Sequence, residues 1–235
     1  MNNVSRIALR HAKNRLEKYG IYIGRTEQWN SYNLISEIHC NFLQSVNGII
    51  HIGGHSGQEA SFYDSIKKNV IWIEAVPEYF QELLTNISNF PNQKAINSLL
   101  GNENLEGIQF NIASNNGGSS SIYDFDAEHN FTNVSMASQI QLTMRRLDAI
   151  LNESDIEKLD HWILDVQGAE LMVLEGSGSL LSYCNSLYVE VSRRAIYQGG
   201  TKWEDLNDFL TSNGFISLWV PPNRSHTDVL FVRKS

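Results

Sequence analysis

Short apolar runs and amphipathic segments alternate along the chain from residue 48 onward. The apolar runs are rich in Val and Ile, as buried strands are, and the segments between them place apolar residues at helical spacing. The first half of this pattern predicts strands at Gly48–Ile52, 70–74 and 94–99, with helices at 58–67 and from Pro77. Strands that alternate with helices indicate β-α-β units and a mainly parallel sheet.

The alternation continues in the C-terminal half of the chain. The strands and helices predicted there are 162–166, 169–175, Ser186–Val191 and 202–211. The last two apolar runs, 215–220 and 228–232, are joined by a loop too short for a crossover helix, which predicts an antiparallel hairpin. The pattern as a whole predicts an α/β, Rossmann-like fold that ends in this hairpin.

Two segments do not follow this alternation. Residues 1–20 combine apolar positions near helical spacing with five basic side chains, which predicts a basic amphipathic helix. Its expected role is packing or covering the domain, with substrate or membrane contact as the alternative. Residues 101–144 are rich in Asn, Ser and Gly, and they predict an insertion at the rim of the sheet, too polar to be core, that is either a flexible surface loop or a substrate cover. We therefore expect an N-terminal helical extension or lid over residues 1–45 and one domain over residues 46–235.

Composition and charge limit the class of protein. At 235 residues and 42% hydrophobic content, the chain is long enough to bury the core of one domain. Eighteen basic and 26 acidic side chains give a formal net charge of -8, which disfavours nucleic acid as a partner. Cys40 and Cys184 form no disulfide or metal-binding pattern, and the N-terminus lacks the apolar core of a signal peptide. We expect a cytoplasmic protein without a membrane span, and the sequence leaves the oligomeric state open.

The first predicted strand ends in a turn made of Gly53, Gly54, His55, Ser56 and Gly57. Glycines at this place let the backbone turn sharply and present N–H groups to a nucleoside-bearing cofactor. Glu74 ends the second strand at close to the usual spacing, about 20 residues, for an acid that binds the ribose hydroxyls. The alternative for Glu74 is a solvated strand-end carboxylate.

The turn does not fit a dinucleotide. The G-x-G-x-x-G pattern requires three glycines, and the chain has Gly53, His55 and Gln58 at those positions. A polar turn with His55 and Ser56 suits the zwitterionic tail of S-adenosylmethionine better than it suits a pyrophosphate.

Three further polar residues are predicted near the carboxyl ends of strands. Asp165 ends the fourth strand, where it would bind the cofactor's ammonium, steer or deprotonate a substrate hydroxyl, or hold a metal; the alternative is a helix N-cap. Glu190 ends the fifth strand as a candidate base or sugar ligand. His226, in the loop of the final hairpin, has an ordinary pKa near ~6.5 that suits proton abstraction, with an ordinary surface residue as the alternative. His51 is expected to be a core histidine, and because its spacing from His55 does not suit joint ligation, no metal is assigned.

Residues 165–176, DVQGAELMVLEG, resemble the D-V-[EQ]-G-A-E-x-x-V-L-x-G block of the FkbM family of methyltransferases. Residues 146–151 resemble the family's T-L-D-D-L segment, and residues 115–121 resemble its serine-rich segment after the third strand. The glycine turn is similar to the family's V-D-V-G-A-N-x-G, except that His51 stands where an Asp is common. The resemblance extends from about Gly48 to Arg233.

This resemblance implies a class I enzyme with a seven-stranded, mostly parallel sheet and S-adenosylmethionine as cofactor. Besides the glycine turn, the implied cofactor-binding residues are Glu74, Ala75, Asn97, Ser98, Asp165 and Gln167. The implied acceptor is a small molecule or glycan with a free hydroxyl, and the order of preference for the base is Asp165, His226, then Glu190.

Two other functions stay open at the level of sequence. The first is an NAD(P)-dependent oxidoreductase, which the incomplete dinucleotide pattern and the terminal hairpin disfavour, since class I methyltransferases end with an antiparallel strand. The second is a glycan-binding or assembly module that kept the fold and lost turnover.

Overall fold

The computed structural model describes residues 37–127, 133–194, 196–221 and 227–234, together with the backbone of residues 31–36. The helix predicted over residues 1–20 lies outside this part of the chain. In chain order the elements are α1 (Ser31–Leu43), β1 (Gly48–Ile52), α2 (Ala60–Ser65), β2 (Asn69–Glu74), α3 (Pro77–Ile87), β3 (Gln93–Asn97), β4 (Leu99–Leu100), β5 (Leu105–Ala113), β6 (Met136–Arg145), α4 (Leu147–Ile150), α5 (Glu153–Ile156), β7 (His161–Leu164), α6 (Glu170–Glu175), a 3-10 helix (Gly178–Tyr183), β8 (Ser186–Val191), α7 (Trp203–Ser212), β9 (Phe215–Ser217) and β10 (Thr227–Arg233).

The main sheet has seven strands in the order β3-β2-β1-β7-β8-β10-β9. The first five strands in this order are parallel, and β10 runs antiparallel to both β8 and β9. The strand order reverses between β1 and β7, which is where an open α/β sheet binds its ligand. The predicted fold class and the C-terminal antiparallel hairpin are confirmed.

The core lies on both faces of the central strands. All five residues of β1 are buried, as expected for a parallel strand with both faces covered. Trp72 on β2 and Trp162 on β7 are fully buried on either side of it. Ile38, Phe42 and Leu43 of α1 belong to the same hydrophobic cluster. Helix α1 thus packs against the sheet, and the division of the chain at residue 45 stays a prediction.

Local backbone geometry explains where element ends differ from the sequence-based prediction. Helix α3 begins at Pro77, as predicted, because proline has no N–H to bond in the first turn. Helix α2 ends before Lys67, whose φ of 56° lies in the left-handed region. The strand predicted over 94–99 is divided, since β3 ends at Asn97 and β4 pairs with β6 in another sheet.

A second sheet has three strands in the order β4-β6-β5. Two of them, β5 and β6, come from the segment predicted as an insertion over residues 101–144. Strands β5 and β6 pair antiparallel, and their inward residues Phe110 and Met144 pack with Leu99, Val76 and Tyr79 in a small separate core. The expectation that this segment is too polar to contribute core was wrong, because Phe110 and Met144 are buried and the partly buried Ile108, Ile140 and Leu142 pack against them. Within the described ranges, every helix is too short or too polar to cross a membrane.

Candidate active site

The glycine turn after β1 is held tightly against the neighbouring strands. Gly53 has a φ of 86°, and a Cβ added there would lie 1.9 Å from the backbone carbonyl oxygen of Asp165. The N–H groups of Gly53 and Gly54 both donate to the carbonyl of Ile73, at 2.9 and 3.1 Å. A Cβ at Gly57, which has a φ of 74°, would lie 2.5 Å from the Leu83 side chain. Glycine is therefore required at Gly53 by both conformation and space.

Glu74 joins the end of β2 to this turn. One carboxylate oxygen accepts the backbone N–H of His55 and the other accepts that of Val76, each at 2.8 Å. The residue is only 7% exposed, and burial raises the pKa of its carboxyl while the two N–H bonds act in the opposite direction. Glu74 also lines the cavity described below, so it both fixes the turn and borders that cavity.

His55 connects the turn to the loop that follows β5. Its ring stacks on Tyr79 with centroids 4.2 Å apart, and its Nε2 donates to the carbonyl of Asn116 at 2.8 Å. Gly117 has a φ of 77°, and any Cβ there would collide with the Tyr79 ring. The loop is therefore fixed closely over the turn, and the second sheet provides part of the wall of the site.

A cavity of about 460 Å³ lies between the turn, the end of β2, the end of β7 and this loop. Its volume is within the usual range for small-molecule sites, about 300–1,000 Å³. The predicted site residues that line it are Gly53, Gly54, His55, Glu74, Ala75, Ser98, Asp165 and Gln167. Other lining residues were not assigned to the site from the sequence. They include Gln58, Glu59, Tyr79, Leu99, Phe110 and residues 115–118, the last of which belong to a segment singled out only for its family resemblance.

Three predicted cofactor residues lie outside the cavity lining. The Ser56 carbonyl accepts the Asn86 side chain, Gly57 packs near Leu83, and the Asn97 amide donates to the carbonyls of Glu74 and Ala75. These contacts support the wall of the cavity from behind, and direct cofactor contact by these three residues stays a prediction.

Asp165 lies just beyond β7 at the switch point. Its N–H donates to the carbonyl of Ile52, and its side chain is open to the cavity. The Gln167 amide nitrogen donates both to the Asp165 carboxylate and, at 2.9 Å, to the Glu190 carboxylate on β8. The alternative that Asp165 caps the next helix is wrong, because α6 begins after Ala169, which makes no side-chain cap.

The site is strongly acidic. Burial raises the pKa of Glu190 well above its ordinary value, and the charges of Asp165, Glu170 and Asp228 raise it further. Enclosure by protein also raises the pKa of Asp165, against the lowering effect of the Gln167 hydrogen bond. Burial brings the pKa of Glu170 to about 7 and that of Asp228 to about 6. Protons are therefore retained in this cluster near neutral pH.

His51 is buried and lies against the same cavity. Its Nδ1 shares a hydrogen bond of 3.2 Å with the Tyr63 hydroxyl, and its ring stacks on Trp72 with centroids 4.6 Å apart. Burial lowers the pKa of His51 to about 4, so the imidazole is neutral at neutral pH. The expectation of a core histidine is confirmed. His226 lies among residues 222–226, outside the described residues, and its role stays a prediction.

The described part of the chain holds no cluster of three or more His, Cys, Asp or Glu side chains arranged to bind a metal ion.

Comparison with known proteins identifies the family. The family model described as the Methyltransferase FkbM domain matches residues 51–217, which is most of the chain. The chain belongs to the FkbM methyltransferase family. Its cofactor is therefore S-adenosylmethionine, and the oxidoreductase alternative is excluded by this membership.

One curated relative is the 2-O-methyltransferase NoeI of Sinorhizobium fredii, with 34% identity over 73 residues. The match covers 31% of this chain and 30% of that protein, so it spans less than a third of the relative.

Two solved structures are similar to this FkbM chain. An rRNA methylase from Streptococcus thermophilus has 12% identity and a TM-score of 0.48, and the match covers 84% of this chain and 95% of that one. The magnesium protoporphyrin IX methyltransferase of Synechocystis PCC 6803, solved with bound S-adenosylmethionine, has 14% identity and a TM-score of 0.43, covering 100% and 98% of the two chains.

Proposed function

We propose that this chain transfers the methyl group of S-adenosylmethionine to a hydroxyl group of a sugar, a glycan or a related natural product. The observation that carries the proposal is the Asp165 carboxylate, which opens into the same cavity as the glycine turn and Glu74. A hydroxyl group must lose its proton as it accepts a methyl group, and Asp165 is placed to take that proton. The name of the partial relative, a 2-O-methyltransferase, supports oxygen as the accepting atom.

The cavity suits the cofactor. Glu74 would accept hydrogen bonds from the ribose hydroxyls, because each of its oxygens keeps a lone pair beyond the one used by a backbone N–H. The side chains of Leu99 and Phe110 would give an apolar wall for the adenine ring beside Ser98. The bound cofactor supplies a methyl group that is already activated by its bond to a positively charged sulfur.

The protein then has two tasks, alignment and proton removal. The fixed turn and the loop at residues 115–118 would hold the cofactor in one orientation, so that an acceptor oxygen can approach within about 3–3.5 Å of the reacting carbon. Asp165 accepts the hydroxyl proton. Glu190 is not among the residues that line this cavity, which supports Asp165 over Glu190 as the base.

The acceptor is a neutral or cationic molecule in this proposal, since the carboxyls of Glu59, Glu74 and Asp165 all border the cavity. The net charge of -8 further supports an acceptor other than nucleic acid. A cytoplasmic location is part of the proposal, and it is supported by two cysteines that are both free.

The test is methyl transfer by the purified full chain. The protein is incubated with methyl-labelled S-adenosylmethionine and a panel of neutral sugars, amino sugars, sugar phosphates and glycans, and the product is located by mass spectrometry. We expect label on a hydroxyl oxygen. In Asp165→Asn the rate should fall at least about 100-fold, the usual loss when a general base is removed.

Label on nitrogen or carbon, or an undiminished rate in Asp165→Asn, would contradict the proposal. Tight binding of S-adenosylhomocysteine without any labelled product would instead favour the non-catalytic module.

A further inference from the structure

Gln167 lines the cavity, and both its backbone carbonyl and its side-chain amide are fixed by hydrogen bonds. Its φ is 54°, in the left-handed region that residues other than glycine rarely adopt. Its carbonyl accepts the Ser121 hydroxyl at 2.7 Å, which fixes the backbone in this conformation. Left-handed backbone of this kind is sterically costly and is found where the surroundings require one side-chain direction.

The amide group of Gln167 has one defined orientation. The Tyr197 hydroxyl donates to its oxygen at 2.5 Å, so the nitrogen must face the other way. The nitrogen faces the carboxylates of Asp165 and Glu190 and donates to both. Both N–H groups are therefore used, one for each carboxyl group. An ionised carboxylate can only accept, so the nitrogen faces it, while the Tyr197 hydroxyl, which also lies 3.2 Å from the Ser119 carbonyl, holds the amide oxygen at the other end.

The two carboxyl groups are also close neighbours, because an oxygen of each lies within hydrogen-bond distance of the same Gln167 nitrogen. They lie at the adjacent ends of β7 and β8, and two carboxyls this close repel each other when both are ionised, so that one of them keeps a proton. A single proton between them gives the pair one negative charge in place of two.

The surroundings decide which carboxyl holds that proton. Glu190 lies directly opposite Asp228 on β10 and also feels the charge of Glu170, with Tyr197 as a further neighbour. On the side of Asp165 the titratable neighbours are Glu59 and His51, which is neutral at neutral pH. Asp165 also interacts with the charges of Glu170 and Asp228 and with Tyr197. Among the described residues, no Lys or Arg forms an ion pair with either carboxyl. Because Glu190 is the more buried of the two carboxyls and lies directly opposite Asp228 on β10, Glu190 is the member that keeps the proton.

We propose that Gln167, oriented by Tyr197, is a positioning residue that holds Asp165 and Glu190 as a pair sharing one proton, so that the ionised carboxylate is the one that faces the cavity. This inference rests on the proposed function, because it assigns Asp165 as the group that receives the acceptor's proton. In that step the O–H bond of the acceptor breaks and the proton binds to Asp165. The electron pair stays on the oxygen, which forms the new bond to the methyl carbon while the bond from that carbon to sulfur breaks and leaves its electron pair on sulfur. Glu190 keeps its own proton.

The direct test is a titration of the full chain without any acceptor. Carbon-13 labelled Asp and Glu carboxyls are followed by NMR over pH, and the signals are assigned with Asp165→Asn and Glu190→Gln. We expect Asp165 and Glu190 to titrate in two separate steps, with Glu190 holding its proton to the higher pH. Gln167→Leu keeps the size of the side chain and removes both N–H donors, and the step of Asp165 should move about one pH unit higher.

Two variants complete the titration. Gln167→Glu replaces the N–H donors with another acid and should also move the Asp165 step higher. Gln141→Leu, at an exposed glutamine on β6, is the matched control and should leave both steps unchanged. If Gln167→Leu does not fold, Tyr197→Phe takes its place in the titration, since it keeps Gln167 and removes the hydroxyl that holds the amide oxygen. The Asp165 step should again move to higher pH. Independent titration of both carboxyls in their ordinary range, or an unchanged Asp165 step in the variants that fold, would overturn the inference.

A kinetic measurement separates positioning from cofactor binding. If methyl transfer is found as proposed, Gln167→Leu should lower kcat and move the acidic limb of the pH–rate profile higher, with KM for S-adenosylmethionine unchanged. A higher KM with unchanged kcat and pH profile would make Gln167 a cofactor-binding residue instead. The titration needs no turnover, so failure of the inference and failure of the proposed function give different results.

Discussion

Replacing Glu74 with Gln tests the link between the glycine turn and the cofactor. The side chain keeps its size, but one of the two oxygens that accept a backbone N–H becomes an NH2 group. One N–H, from His55 or Val76, then faces another donor. Losing one hydrogen bond to a charged acceptor costs about 1.5–3 kcal/mol. Removal of a buried charge offsets part of this, which leaves a net loss of about 1–2 kcal/mol.

Two measurements check the Glu74→Gln prediction. For a chain of this size, the loss corresponds to a Tm about 2–8 °C lower in the absence of ligand. The ribose hydroxyls also lose a charged acceptor, so affinity for S-adenosylhomocysteine, measured by calorimetry, should fall about 10- to 100-fold. Glu82→Gln, at an exposed position on α3, makes the same charge change and should alter neither quantity. The reasoning is refuted if Glu74→Gln binds S-adenosylhomocysteine within about twofold of the unmodified chain.

Further changes test the turn and the acidic cluster. Gly53→Ala and Gly107→Ala both place a Cβ on backbone with positive φ, but only the Cβ at Gly53 meets another atom within 4 Å, the Asp165 carbonyl. In urea denaturation, Gly107→Ala should lose about 1–2 kcal/mol from conformation alone, and Gly53→Ala should lose clearly more; equal losses would contradict the contact. The pKa of Glu170 is raised to about 7, so the folded state binds more protons than the unfolded state between about pH 4.5 and 7. The stability that Glu170 contributes should therefore be present below pH 4.5 and be lost as pH rises to 7. The free energy of unfolding of the unmodified chain minus that of Glu170→Gln should therefore fall between pH 5 and 7.5. A value that rises over this range would contradict the assignment.

The fold could be predicted from the sequence where local pattern decides structure. Strand β1 has the predicted bounds, Gly48–Ile52, since a continuous apolar run between turn residues is typical of a strand buried on both faces. The hairpin of β9 and β10 was predicted because the connecting loop leaves no room for a helix. The core contributed by β5 and β6 was missed, because its apolar residues alternate with many polar ones and pack only once the two strands pair.

The candidate site was likewise predicted only in part from the sequence. Gly53, Glu74 and Asp165 were found because each stands at a strand end, a position that sequence pattern defines. The contact of Tyr197 with Gln167 joins side chains 30 residues apart through a loop conformation that no motif records. Tyr79 was missed for a related reason, since its ring appears in sequence as an ordinary core position of α3 and meets His55 only in the folded chain.

The central claim is that the cavity between the glycine turn, Glu74 and Asp165 holds S-adenosylmethionine. A crystal structure of the chain with S-adenosylhomocysteine tests it most directly. We predict that the ribose hydroxyls lie within hydrogen-bond distance of the Glu74 carboxylate, with the sulfur in the same cavity as the Asp165 carboxylate. Ligand bound elsewhere, or bound with the ribose turned away from Glu74, would contradict the account.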